Sequence, residues 1–175
     1  MEAPAKKSSN LKLVEQITVL TTDEFYLTIY NNKKNILMDN IFETYRPDNF
    51  HTVTPYLFVD KPQLLIDFLK NAFLAKEINR STNPTNGDIA NCILQIGDTC
   101  FMISQAREQF EGMKTALFLF VDDVEAIHKR AIDNGAKIEF EPADMPYEDR
   151  QSGIIDPCGN YWWISKRQVK KGYHE

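Results

Sequence analysis

Two stretches of the chain share one rhythm of apolar and polar positions. YLFVDKPQLLIDFLKNAFLAKE, from Tyr56, and FLFVDDVEAIHKRAIDNGAKIE, from Phe118, each open as a short strand ending in Phe-Val-Asp. Each then passes into residues with apolar positions at helical spacing and leaves through Ala-Lys into another strand. Leu64, Leu65, Phe68, Leu69, Ala72 and Phe73 make one stripe, and Val124, Ile127, Ala131 and Ile132 make the other, so each helix has one face to bury. Asp60 with Gln63, and Asp122 with Glu125, fit the pattern in which an N-cap side chain and the residue three places on satisfy free backbone N–H groups. Pro62 falls in a first turn, where it costs no hydrogen bond, and Gly135 is placed to cap the second helix.

The two stretches keep register: 62 residues separate Val59 from Val121, and 61 separate Ala75 from Ala136. This is an internal duplication. Short alternating runs over Ala75–Ser81, Asp88–Ile96 and Thr99–Ser104 follow the first helix, and Lys137–Glu141, Gln151–Ile155 and Tyr161–Ser165 follow the second. The unit is therefore strand, helix and three strands, twice, with modules at about 50–104 and 115–166 and a polar bridge, Gln105–Lys114, between them. Residues 1–45 lie outside the repeat and read as an N-terminal extension: a disordered tail over Met1–Asn10, an accessory strand or two within Ile17–Tyr30 around Thr21–Glu24, and a turn or loop at NNKKN, Asn31–Asn35. So short a segment has too little apolar surface for a core of its own, and an ordered strand pair or a dimer contact is its expected role. Residues 171–175 are a C-terminal tail.

The stretch SGIIDPCGNYWWIS, Ser152–Ser165, carries adjacent tryptophans on a strand launched by a turn. Neighbours on a strand point to opposite faces, so Trp162 and Trp163 need two different apolar compartments.

Composition narrows the classes. A formal net charge of -5 with a pI near 5.3 excludes a dominant phosphate-binding surface, despite the local cluster Lys166, Arg167, Lys170 and Lys171, and nucleic acid is not an expected partner. No apolar run reaches the roughly 20 residues of a membrane span, and MEAPAKKSSN lacks the apolar core of a secretory leader, so a cytoplasmic protein is expected. Three cysteines without C-x-x-C spacing, Cys92, Cys100 and Cys158, read as buried small hydrophobes rather than a disulfide framework or zinc knuckle. His51, His128 and His174 read as solvated or capping side chains, and adjacent Glu148 and Asp149 diverge too far to make an acid/base pair.

Four segments, RPDNFHTVTPYLFV, NGDIANCILQIGDTCFMIS, LFLFVDDVEAIHKRAIDNGAKI and YEDRQSGIIDPCGNYWWISKR, resemble the glyoxalase/bleomycin-resistance proteins, the vicinal oxygen chelate superfamily, and among them the PhnB-like branch. The resemblance spans about Arg46 to Lys170 and is most specific in Tyr147-x-Asp149-Arg150-x-x-Gly153 followed by Asp156-Pro157-x-Gly159-x-x-Trp162. It implies an α+β domain over 46–170: duplicated βαβββ modules whose curved sheets form an incomplete eight-stranded barrel, with helices outside and a ligand cavity within. A homodimer is also implied, because paired modules can close a barrel within one chain or across two.

Members that catalyse present His and Glu from the first and last strands of each module to a divalent ion, which polarises vicinal substrate oxygens. The resemblance places those positions at Thr54, Ala116 and Trp163, none of them a metal ligand. Histidines that PhnB-like relatives often carry are replaced by Asn91 and Asn160. No metal or other cofactor is expected. Alternation instead points Tyr56, Phe58, Asn91, Ile93, Phe118, Phe120, Tyr161 and Trp163 inward, a mainly aromatic lining suited to a flat or cationic organic ligand. Asn91 is placed to orient a polar group, and Tyr147 and Arg150 stand at the rim, where Arg150 meets either a ligand anion or a neighbouring carboxylate. The leading expectation is a metal-independent protein that binds, and sequesters, an aromatic or amphipathic small molecule. The alternatives are a glyoxalase-like lyase, isomerase or dioxygenase with an unrecognised metal site, a non-catalytic scaffold, and a lining whose rings fill the barrel themselves.

Overall fold

The two apolar rhythms become two copies of one unit in the computed structural model, which describes Asp23, residues 26–30 and residues 41–173. Residues 46–175 form one compact unit and residues 1–45 another. The first module runs β1 (Tyr56–Val59), α1 (Pro62–Ala72), β2 (Lys76–Thr82), β3 (Ile89–Ile96) and β4 (Thr99–Gln105). The second runs β5 (Ala116–Phe120), α2 (Val124–Asp133), β6 (Lys137–Asp144), β7 (Asp149–Ile155) and β8 (Tyr161–Arg167). Each module makes a four-stranded mixed sheet, in the orders β1-β4-β3-β2 and β5-β8-β7-β6. The first strand of each lies at one edge, parallel to the last, and the remaining pairs are antiparallel. A parallel pair needs a crossover, which the helix of each module provides.

Alternation divides each sheet into a helix face and an open face. Leu57, Val59, Cys92, Leu94, Phe101 and Ile103 of the first sheet, and Ile154, Trp162 and Ile164 of the second, are buried in one shared core. Helices α1 and α2 pack against each other inside it, and Arg130 Nη2 donates to the Asn71 carbonyl at 2.7 Å. The Phe73 and Trp162 rings meet edge-on at 4.9 Å, joining the two modules.

Several local expectations shift. Helix α1 starts at Lys61, which makes no side-chain cap; the Asp60 carbonyl accepts from Gln105, while Gln63 bonds Asp67 and Arg80. Pro62 at the first position already removes one N–H that a cap would serve. The second cap is Asp123 rather than Asp122, its carboxylate accepting from Ala126 N at 2.9 Å, and Glu125 turns away to Arg150. Leu64 is exposed and Ile66 is buried in its place, because the helix presents Leu65, Ile66 and Leu69 to the core. His128 is buried on α2, not solvated, with Nε2 3.3 Å from a Glu141 carboxylate oxygen. Gly135 follows the end of α2 at φ 96, the left-handed position that favours glycine there.

Asp23 and residues 26–30 are helical, where strands were expected. Tyr26, Leu27, Tyr30 and their neighbours satisfy helical spacing as well as strand composition, and β propensity yields readily to context. The tail expectation over Met1–Asn10, the turn at Asn31–Asn35 and His174 lie outside the described residues.

Candidate functional site

The rings expected to line a cavity stand on the open faces, in two separate groups. On the first sheet the Tyr56 and Phe58 rings lie 4.4 Å apart, and Phe110 stacks on Phe58 at 4.2 Å and 17°. Phe110 comes from a 3-10 turn, Glu108–Phe110, in the segment read as a polar bridge. On the second sheet Phe118 pairs with Phe120 at 5.0 Å, and Tyr161 stacks with Trp163 at 6.3 Å. Trp162 is buried on the helix face while its neighbours Tyr161 and Trp163 are not, so the two tryptophans occupy different compartments. Phe118 and Phe120 remain 48% and 59% exposed, large apolar surface left uncovered by the described residues.

Polar groups sit among these rings at matching places in the two modules. Phe58 faces Ser104 across the β1–β4 pair, and Asn91 of β3 lies one residue beyond the Cys92–Ile103 pair. Phe120 faces Ser165 across the β5–β8 pair, and Gln151 of β7 faces Ser165 from the other side. Ser104 donates to the Ala90 carbonyl and receives the Tyr56 hydroxyl, both at 2.6 Å; Ser165 donates to Asp149 at 2.9 Å. Asn91 Nδ2 lies 3.5 Å from Met102 sulfur, and its Oδ1 is buried without a partner. Gln151 is 3% exposed; its Oε1 accepts from the Tyr147 hydroxyl at 2.8 Å, and its Nε2, like Asn91 Oδ1, is buried without a partner among the described residues.

Beyond Gln151 on the same face, Asp149 is fully buried. It accepts from Tyr173 Oη at 2.7 Å, Ser165 Oγ at 2.9 Å and Arg167 Nη1 at 3.0 Å. Arg167 also donates to the carbonyls of Tyr147, Lys171 and Gly172 and covers the Tyr173 ring at 4.4 Å, tying the C-terminal residues to β8. Burial pushes the Asp149 carboxyl upward, but the hydrogen bonds from Tyr173, Arg167 and Ser165 and the Arg167 charge outweigh it, so it stays below the usual carboxylate range. Gly153, the glycine of the first motif, lies under Phe140: a β-carbon there would come within 2.4 Å of that ring.

Arg150 does not reach either group of rings. It is held by Glu125 at 2.7 Å and Asp144 at 3.3 Å, rather than by its sequence neighbours, because alternation sends it to the same side as Ser152 and Ile154. Its hydrogen bond draws the Glu125 carboxyl below its ordinary value. Burial pushes the Cys158 thiol up to about 11, which keeps it protonated at neutral pH and unfit as a nucleophile.

The metal-bearing positions of related folds fit no ion here. Thr54 donates to the His51 carbonyl, Ala116 has no donor atom and Trp163 is an indole. Among the described residues no three His, Cys, Asp or Glu side chains gather closely enough to hold a metal. Asn160 is spent on the turn, bonding Asp156 and the Thr115 backbone.

A cleft of about 340 Å³ that no sequence pattern foretells lies between the free edge of β5 and the β3–β4 turn. It is lined by Phe73, Phe101, Leu117, Leu119, Ile127 and Trp162, with Phe118 and Phe120 at its border. Phe110 and Gln151 were likewise not singled out, and Asp149 and Arg167 were noted only in a motif and in a basic cluster; only the strand register shows that Gln151 is the counterpart of Asn91.

Comparison with known proteins agrees with the topology. The family model described as Glyoxalase/Bleomycin resistance protein/Dioxygenase superfamily matches residues 49–164. An uncharacterized protein of Mycobacterium bovis is 30% identical over 125 residues, 65% of this chain and 82% of that one. Among solved structures, the fosfomycin resistance protein FosX of Listeria monocytogenes superposes with a TM-score of 0.56 at 16% identity, covering 67% of this chain and 93% of that one. A PhnB protein of Bacillus cereus superposes with a TM-score of 0.52 at 14% identity, covering 66% and 99%. At such identities the structural likeness speaks for the fold.

Proposed function

This chain belongs to the Glyoxalase/Bleomycin resistance protein/Dioxygenase superfamily, and on that footing we propose that it is a metal-independent binder of an aromatic or amphipathic small molecule. One observation carries the reading: the open faces of both sheets present aromatic rings where a catalytic relative would present ion-binding side chains. Ring stacking supplies about 0.5–1.5 kcal/mol per contact beyond area burial, enough for several rings together to hold a flat ligand. The proposed setting is the cytoplasm, where three free thiols remain reduced. No helix among the described residues is long and apolar enough to cross a membrane.

The proposal includes a second copy of the chain as partner. Among the described residues no ring contact of the open faces crosses from one module to the other, and the ring contact that does join the modules, Phe73 with Trp162, belongs to the core. A cavity enclosed on both sides then takes the open face of one chain and that of another. Sedimentation equilibrium is expected to give twice the 20.3 kDa chain mass, falling to one chain mass in Phe118→Asp/Phe120→Asp. A monomeric wild type would overturn this part.

Titration with a panel of planar aromatic compounds should quench tryptophan fluorescence saturably and raise the melting temperature. In Trp163→Ala the quenching is expected to vanish and affinity to fall about tenfold. Full quenching in Trp163→Ala would place the ligand in the cleft beside Trp162 instead. No quenching and no thermal shift across the panel would refute ligand binding.

A further inference from the structure

The duplication repeats a constellation as well as a fold. Phe58, Ser104 and Asn91 lie side by side on β1, β4 and β3; Phe120, Ser165 and Gln151 lie side by side on β5, β8 and β7. Both serines are buried and both bond within their own module, to the Ala90 carbonyl and to Asp149, leaving the amides without them. Each amide then keeps one atom buried and unpaired, Oδ1 of Asn91 and Nε2 of Gln151. A buried unpaired polar atom is costly, and folded chains retain few of them; two at equivalent places beside aromatic rings, Phe120 exposed and Phe58 half-buried under Phe110, call for a common cause.

We propose that these are matching half-sites for a planar, uncharged ligand whose amide or lactam edge pairs with the buried amide and whose ring stacks on the phenyl group, on the exposed Phe120 directly and on Phe58 in the place that Phe110 fills, Gln151 being a binding residue of the second. The inference rests on the ligand-binding reading above and adds to it the polar chemistry of the ligand. An amide edge carries an N–H and a C=O side by side, so it satisfies the free acceptor on Asn91 and the free donor on Gln151. A hydrocarbon satisfies neither. A site built to hydrogen-bond a ligand group discriminates against the analogue lacking it, because its own buried atom is then left unpaired. Tyr147, 44% exposed and hydrogen-bonded to Gln151, is the neighbour that moves to admit the ligand.

The test is a matched pair of probes, 2-quinolinone and naphthalene, of similar shape with and without the lactam. The wild type is expected to bind 2-quinolinone at least tenfold more tightly by tryptophan quenching. Gln151→Leu should remove most of that preference, leave naphthalene affinity within about twofold, and melt close to the wild type, because removing the unpaired Nε2 offsets the loss of the acceptor for the partly exposed Tyr147 hydroxyl. In the unmutated protein, the Gln151 side-chain amide resonances should move on adding 2-quinolinone and stay in place with naphthalene. Equal affinity for both probes, or an equal loss of both in Gln151→Leu, overturns the lactam inference while ligand binding stands. If neither probe binds or shifts any resonance, both readings fall together.

Discussion

Asp156→Ala is expected to lower the unfolding free energy by about 4 kcal/mol in a urea titration, because one carboxylate closes the turn that launches β8. Its Oδ1 accepts from Cys158 N at 2.8 Å and Asn160 N at 3.0 Å, and its Oδ2 from Asn160 Nδ2 at 2.9 Å and Trp162 Nε1 at 3.0 Å. Both Asp156 and Trp162 are buried, so truncation leaves several donors facing no acceptor and little water. Each such group costs about 1–3 kcal/mol, and partial hydration of the turn offsets some of the sum. Asp156→Asn keeps an acceptor for the two backbone groups but turns an NH2 toward Asn160 and Trp162; about half the loss is expected. Trp162→Phe removes the indole donor together with part of the buried ring, and a double-mutant cycle, which subtracts the packing loss, should show coupling of about 1 kcal/mol between the two positions. A change below 1 kcal/mol in Asp156→Ala would mean that the turn is held by its backbone bonds, from Gly159 N to the Asp156 carbonyl and from Asp156 N to the Asn160 carbonyl, without the carboxylate.

The same turn shows what a sequence can and cannot reveal here. Asp-Pro-x-Gly-x-x-Trp is legible because a turn demands particular residues at particular places, and a strand's alternation then separates Trp162 from Trp163 without further information. The duplication was legible for a similar reason: 61 or 62 residues of spacing survive in both modules, and the elements follow within a few residues. Caps were misplaced by one residue, since Asp122 and Asp123 offer the same chemistry and only the entry angle of the chain chooses between them. The fate of Arg150 depended on Glu125, a residue 25 positions away on a helix, which no local pattern links to it.

The site was half legible. Which side chains share a face follows from period two, and the aromatic faces are where alternation put them. That they form two groups rather than one depends on how the helices pack between the modules, a property of the third dimension. Phe110 was hidden in a polar segment and takes its place only because a 3-10 turn carries it onto Phe58. Gln151 required the register of three strands before its kinship with Asn91 became visible.

Arg167→Ala should cost about 3 kcal/mol at pH 7, because it leaves the fully buried Asp149 carboxylate without its counter-ion. The effect has a pH signature. In the wild type the folded-state value of Asp149 lies below its unfolded value, so the contribution is fully present above about pH 4 and is lost as pH falls through the folded value. Without Arg167 the guanidinium no longer covers Tyr173, the phenol is free to leave, and burial becomes the dominant influence on Asp149. Its folded value then rises above the unfolded one, and the variant is penalised at neutral pH, where the buried group must stay charged or take up a proton. The gap between wild type and variant should therefore narrow as pH is lowered from 7 toward about 4, whereas a simple loss of packing would leave it unchanged. Urea titrations at the two pH values measure it directly. A gap that is the same at both, or that stays under 1 kcal/mol, would show that Ser165 and Tyr173 satisfy Asp149 unaided and that the C-terminal residues are tied down by their backbone contacts rather than by this ion pair.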